Sequence, residues 1–130
     1  MRGAVALENT WLKNDTLRDV AVYVVWSPQL GASEKYVKGA TVLVPDGRAT
    51  HYWDGEMLVG SAYQPVVRSK AAAWDTWMLF DKNAMWRGDS VPRPAWWEHQ
   101  MKSGPRELML DATRWTSHAL ALHTANAIHR

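Results

Sequence analysis

At 130 residues, with 47% hydrophobic and 22% charged residues, the chain has the proportions of an ordinary globular protein and is expected to form one domain, residues 1–130. Its net charge is +2, with 6 basic and 7 acidic residues up to residue 65 and 9 and 6 after it, an excess too small and dispersed for a nucleic-acid footprint. It contains no cysteine, which excludes disulfides, thiolate catalysis and cysteine-rich zinc sites.

In chain order, residues 4–13 ("AVALENTWLK") are rich in helix formers, and "ND" at 14–15 breaks that helix. The segment "MRGAVALENTW" meets Glu8 and Asn9 before any long apolar stretch, unlike a signal peptide, so a cytoplasmic location is expected. The longest apolar run, "VAVYVVW" at 20–26, falls far short of the ~20 residues of a membrane span. Its β-branched character predicts a central strand covered on both faces. Ser33 is placed to cap a helix through "EKYVKGAT", although Gly39 weakens it. Pro45-Asp46-Gly47 is a turn, "ATHYW" at 49–53 a second strand, and "EMLVGSAY" at 56–63 a helix ending before Pro65.

Residues 71–80 ("AAAWDTWMLF") read as a third strand, with Trp74, Thr76, Met78 and Phe80 on one face and Asp75, Trp77 and Leu79 on the other. "DKNA" then suggests a hairpin into a short strand at 84–86, and "AWWEHQMK" at 95–102 a short helix. Pro105 opens a final helix over 105–128. The order α-β-α-β-α-β-β-α-α implies an α/β fold, a mixed sheet with helices on its faces, with residues 1–104 as core and 105–130 as the C-terminal helix.

"DVAVYVVWSPQL", "HYWD" and "AWDTWMLFDKNAMW", spaced by helices, resemble a loosely defined bacterial group of thioredoxin-like proteins over residues 5–87. The resemblance implies a thioredoxin-like core. The first core strand and the Cys-x-x-Cys motif of that fold are absent, so no redox residue carries over. Without that strand a sheet edge would be left for the C-terminal helix or a second subunit to cover.

The two Trp-Asp pairs raise a functional possibility. Asp54 and Asp75, with His51, are candidate acid–base or ligand-binding groups, and Trp53, Trp74 and Trp77 candidate aromatic walls. The plainer alternative makes Asp54 a helix cap, Asp75 a holder of an indole or backbone N–H, and the tryptophans core. In "VPRPAWWEHQ", Arg93 and Trp97 are candidates for a second binding patch, with the guanidinium stacked on an indole, against the plainer alternative of a tryptophan that plugs the end of the sheet. Histidines lack metal-ligand spacing: His118 and His123 lie five apart, and His118 and His129 would stand roughly 16 Å apart on a helix. No metal or other cofactor is expected. Gly-x-Ser-x-Gly, Gly-x-Gly-x-x-Gly and P-loop patterns are absent, and Arg87-Gly88-Asp89 is too short to carry information.

On the final helix, Leu108, Ala112, Trp115, Ala119 and Leu122 form one stripe, while Leu110, Ala121 and Ile128 fall on a further face. Apolar surface on two sides points either to a homodimer, with Leu108, Leu110, Trp115, Ala121, Leu122 and Ile128 as candidate interface, or to packing of the helix on its own neighbour, residues 95–102. The sequence is read as a non-redox binding or protein-interaction module. The alternatives are a small hydrolase or isomerase using His51 with a carboxylate, and a weak nucleic-acid binder using Arg87, Arg93, Lys102, Arg106 and Arg114.

Overall fold

The computed structural model describes residues 2–14 and 19–128. Asp15, half of the expected helix breaker, and His129, on the polar side of the last helix, lie outside the described residues. By internal packing the chain divides into two compact units, Met1–Val59 and Gly60–Arg130. Both mix helices with small sheets, and the chain ends in a long helix.

The first unit begins with helix α1 (Arg2–Ala6), which widens into one π-helical turn (Leu7–Trp11) and tightens into a 3₁₀ turn (Leu12–Asn14). Gly3, Glu8, Trp11 and Leu12 are buried in this segment, the last three spaced i, i+3, i+4. Strand β1 (Val22–Trp26) pairs in parallel with β2 (Ala49–Trp53), in a register that sets Val24 beside His51 and Trp26 beside Trp53. The crossover contains one α-helical turn, α2 (Val37–Ala40), between 3₁₀ turns at Glu34–Tyr36 and Thr41–Leu43. Ser33 stands at the N-cap position but makes no capping bond, so the expected cap is not formed. Arg48 closes the crossover: it forms a two-pronged ion pair with Asp46 (2.7 and 2.9 Å) and donates to the Leu12 carbonyl at 3.0 Å.

The expectation that β1 is covered on both faces is corrected. Val22 is buried, but Tyr23 and Val25 point outward and are exposed. Among the described residues β1 has a single ladder neighbour.

Helix α3 (Leu58–Tyr63) spans the boundary between the units. In the second unit β3 (Thr76–Leu79) pairs antiparallel with β4 (Trp96–His99), Trp77 opposite Glu98 and Leu79 opposite Trp96. Three expectations are corrected here. The expected single mixed sheet is two separate two-stranded ladders, one parallel and one antiparallel. The hairpin partner of β3 is residues 96–99, not 84–86. Residues 95–102, expected as a helix, contain that strand. A helix would splay the adjacent indoles of Trp96 and Trp97 around one cylinder, whereas the pleat sends them to opposite faces, and each finds a ring partner. β3 is also shorter than expected, because Asp75 takes a left-handed conformation (φ 53°) that ends the extended run.

Helix α4 (Ala112–Ile128) starts later than the predicted 105. A 3₁₀ turn (Arg106–Leu108) precedes it, Met109 bridges to His99, and the Leu110 N–H donates to the His99 carbonyl at 2.8 Å. Asp111 is the N-cap, its carboxylate accepting the Arg114 N–H at 2.8 Å. α4 lies on the face of the ladder that carries Trp77, Trp96 and Glu98. Trp115 meets Trp77 edge-on with centroids 5.2 Å apart, and His118 stacks on Trp96 at 3.7 Å. Just past the end of β3, Phe80 packs against Tyr63 with ring centroids 6.1 Å apart.

Candidate functional site

The residues of the expected cleft are shared between the units: His51, Trp53 and Asp54 belong to the first, and Trp74, Asp75 and Trp77 to the second. His51 sits on β2, its ring stacked on Trp26 with centroids 6.0 Å apart and planes 8° from parallel. Its Nδ1 accepts the Trp26 indole N–H at 3.2 Å, so its Nε2 carries the proton, which it donates to the Val44 carbonyl at 3.2 Å. Both ring nitrogens are therefore engaged. A general base needs a free lone pair, and here Nδ1 supplies one only by giving up the Trp26 bond.

Asp54 performs the capping role that the sequence offered as the plainer alternative. Its Oδ1 accepts the Leu58 N–H at 2.7 Å and its Oδ2 the Val59 N–H at 2.9 Å, so both carboxylate oxygens serve the first turn of α3. The neighbouring Gly55 lies against the Trp53 indole: a Cβ there would stand 2.8 Å from Nε1, so the turn requires glycine. Asp75 contributes its backbone carbonyl to the ladder, accepting the Gln100 N–H at 2.9 Å. Trp77 is packed on Trp115, and Trp97 tilts against His99 at 5.9 Å rather than receiving Arg93, which is exposed.

The most developed polar constellation is one that the sequence reading did not select. Glu98 and His99 are both fully buried. Glu98 Oε1 accepts from the Trp96 indole at 3.0 Å and from Arg114 Nε at 2.7 Å, and its Oε2 accepts the Asp111 N–H at 2.7 Å. The hydrogen bond to Glu98 is the main cause that pushes the Arg114 guanidinium pKa above its ordinary value. His99 Nδ1 accepts the Met101 N–H at 3.0 Å, and its Nε2 donates to the Pro105 carbonyl at 2.9 Å. Gly104 lies flat on that imidazole with no room for a Cβ. Every polar atom of the Glu98 and His99 side chains is satisfied from within the unit, so the cluster clamps β4 to α4 and to the 105–111 segment. Reading "WWEHQ" as a strand was the signal that would have found it, since alternation turns Glu98 towards the helix and His99 away.

Of the cations considered for nucleic acid, Arg114 is bound to Glu98, while Arg87, Arg93, Lys102 and Arg106 are exposed. Among the described residues no group of three or more His, Cys, Asp or Glu converges as a metal site, and no helix is long and apolar enough to cross a membrane. Of the six residues proposed for a subunit interface, Trp115 is buried within its own unit, and Leu108, Leu110 and Leu122 are half-buried. Ala121 and Ile128 remain outward.

Among the described residues of the first unit, aromatic surface is left open on the outer face of the β1–β2 ladder. Tyr23 is 67% exposed, Val25 40% and Tyr52 50%, and the two tyrosine rings lie 6.3 Å apart. No protein-family model, curated protein or solved structure matches the chain.

Proposed function

We propose that the chain is a non-redox interaction module that associates with a second copy of itself, with an α/β architecture related to the thioredoxin-like group. The single observation behind this reading is the outer face of the parallel ladder. Parallel pairs are ordinarily covered on both sides, yet here Tyr23, Val25 and Tyr52 face outward from β1 and β2. Tyrosine favours recognition surfaces because its ring gives apolar contact and its hydroxyl remains hydrated. The order of elements, a parallel pair joined through a helical crossover and then an antiparallel pair, supports the fold kinship. The candidate catalytic groups argue in the same direction, since His51 and Asp54 hold local structure rather than a reactive geometry.

Light scattering on the full chain across a wide concentration range tests the proposal. The expected mass is twice 14.8 kDa at high concentration, falling towards 14.8 kDa on dilution. A mass of 14.8 kDa throughout would rule out self-association.

A further inference from the structure

Within β1 the hydrogen-bond parity leaves a second set of backbone groups to account for. The Val22 N–H donates to Arg48 O at 3.1 Å, and the Asp54 N–H donates to Trp26 O at 2.8 Å. In a parallel ladder alternate residues turn both their N–H and C=O to the same neighbour. Val22, Val24 and Trp26 therefore face β2, and the N–H and C=O groups of Tyr23 and Val25 point to the opposite edge. Among the described residues no strand pairs with that edge. Edge strands are usually guarded by charge, proline, a bulge or a covering element. The run "VAVYVVW" at 20–26 contains no charged residue, no proline and no glycine.

We infer that the β1 edge pairs with the β1 edge of a second copy, antiparallel, about a two-fold axis at Val24. This rests on the self-association proposed above and names the surface that performs it. Val24 is the midpoint of Val22–Trp26, so an axis there overlaps the whole strand with its mate. Tyr23 then lies opposite Val25 of the second copy, and Val25 opposite its Tyr23. All four are edge-facing residues, so each pair exchanges both of its N–H···O=C bonds and no edge group of Tyr23 or Val25 is left over.

The edge is thus its own complement. Each pair sets an aromatic ring beside a β-branched side chain, a favourable cross-strand combination, and no charge opposes its copy. A slip of one residue would set edge-facing residues against inward-facing ones and turn the side chains to the wrong face. With the two-fold axis normal to the sheet, Tyr52, Tyr23 and Val25 of both copies share one side, and the two small ladders become one four-stranded sheet.

The test uses the full chain and two double variants at exposed positions. Tyr23→Lys with Val25→Lys sets like charges opposite each other across the axis, and is expected to weaken the dimer by about tenfold or more. Tyr23→Lys with Val25→Glu sets opposite charges there and is expected to restore it. Light scattering reads the mass and circular dichroism checks that each variant folds. Amide hydrogen exchange on the unmodified chain needs no variant: the Tyr23 and Val25 amides are expected to be protected at dimer-forming concentration and to lose protection on dilution. A dimer whose strength the double lysine variant leaves unchanged, or whose Tyr23 and Val25 amides exchange freely, overturns the edge pairing and leaves self-association standing. Failure of the lysine–glutamate variant to restore the dimer overturns the register about Val24. A chain that is monomeric at every concentration overturns both.

Discussion

Arg114 Nε donates to Glu98 Oε1 at 2.7 Å, which joins α4 to a fully buried carboxylate on β4. Removing one partner of a buried ion pair costs roughly 3–5 kcal/mol, because the remaining charge stays desolvated. The Arg114 side chain is 35% exposed, so water can replace part of what it supplies. Arg114→Ala is expected to destabilise the protein by about 2 kcal/mol in urea unfolding. A loss below about 0.5 kcal/mol, the size typical of exposed pairs, would mean that the pair behaves as a surface salt bridge.

Two glycines give a matched comparison. At Gly104 a Cβ would overlap the His99 ring, which is fully buried and held by hydrogen bonds through both nitrogens. Gly104→Ala is expected to cost about 3 kcal/mol or more, or to prevent folding. At Gly47 nothing lies within 4 Å of such a Cβ. Gly47→Ala is expected to be neutral or stabilising by up to about 1 kcal/mol, through the reduced freedom of the unfolded chain. Thermal unfolding of the two variants side by side would show whether the packing around His99 has this rigidity.

Tyr63 confers an alkaline sensitivity. Its ring is buried, its hydroxyl donates to the Pro92 carbonyl at 3.1 Å, and burial pushes the phenol pKa above the ordinary value. In the unfolded chain tyrosine loses its proton at about pH 10. Above that pH the folded state holds more protons than the unfolded one, so stability falls as pH rises. The contribution is complete below about pH 10 and is lost as pH climbs through the raised folded-state pKa. Tyr63→Phe is expected to be about 1 kcal/mol less stable than the parent at pH 7, with a deficit that shrinks above about pH 10. Urea unfolding at both pH values tests the sign: a deficit that widens in alkali contradicts it.

Asp54 as a cap makes a prediction opposite to that for a catalytic acid. Asp54→Ala is expected to cost about 1 kcal/mol, and Asp54→Asn, which keeps one accepting oxygen but sets an amide donor against the second backbone N–H, to recover only part of that loss. Chemical denaturation of both variants checks this, and an Asn variant as stable as the parent would show that one accepting oxygen is enough for α3.

The segments whose local pattern agrees with their surroundings were legible from residues alone. "ATHYW" at 49–53 matches β2 residue for residue, and "VYVVW" supplies β1. The break before Pro65 and the capping role of Asp54 followed from elementary turn and cap chemistry. Residues 96–99 were not legible because glutamate, glutamine, methionine and lysine nearby are good helix formers, and only packing of Trp96 on His118 and of Glu98 on Arg114 selects the strand. The same error hid the buried cluster, since a helix would have placed Glu98 on a hydrated face. Of the tryptophans singled out as aromatic walls, Trp77 of the expected cleft faces Trp115, and Trp97 of the second patch faces His99.

The parallel register of β1 with β2 also shapes how the chain is made. Val22 pairs with Ala49, so 49 − 22 = 27 residues separate each strand position from its mate. At synthesis rates of ~5–20 residues per second, β1 waits about one to five seconds for the strand that pairs it. Through that interval an uncharged, β-branched heptapeptide hangs from the ribosome with both backbone edges open. Slowing translation between the emergence of β1 and the emergence of β2 from the ribosome is expected to lower the soluble yield, and the lysine variants at Tyr23 and Val25 to be spared that loss.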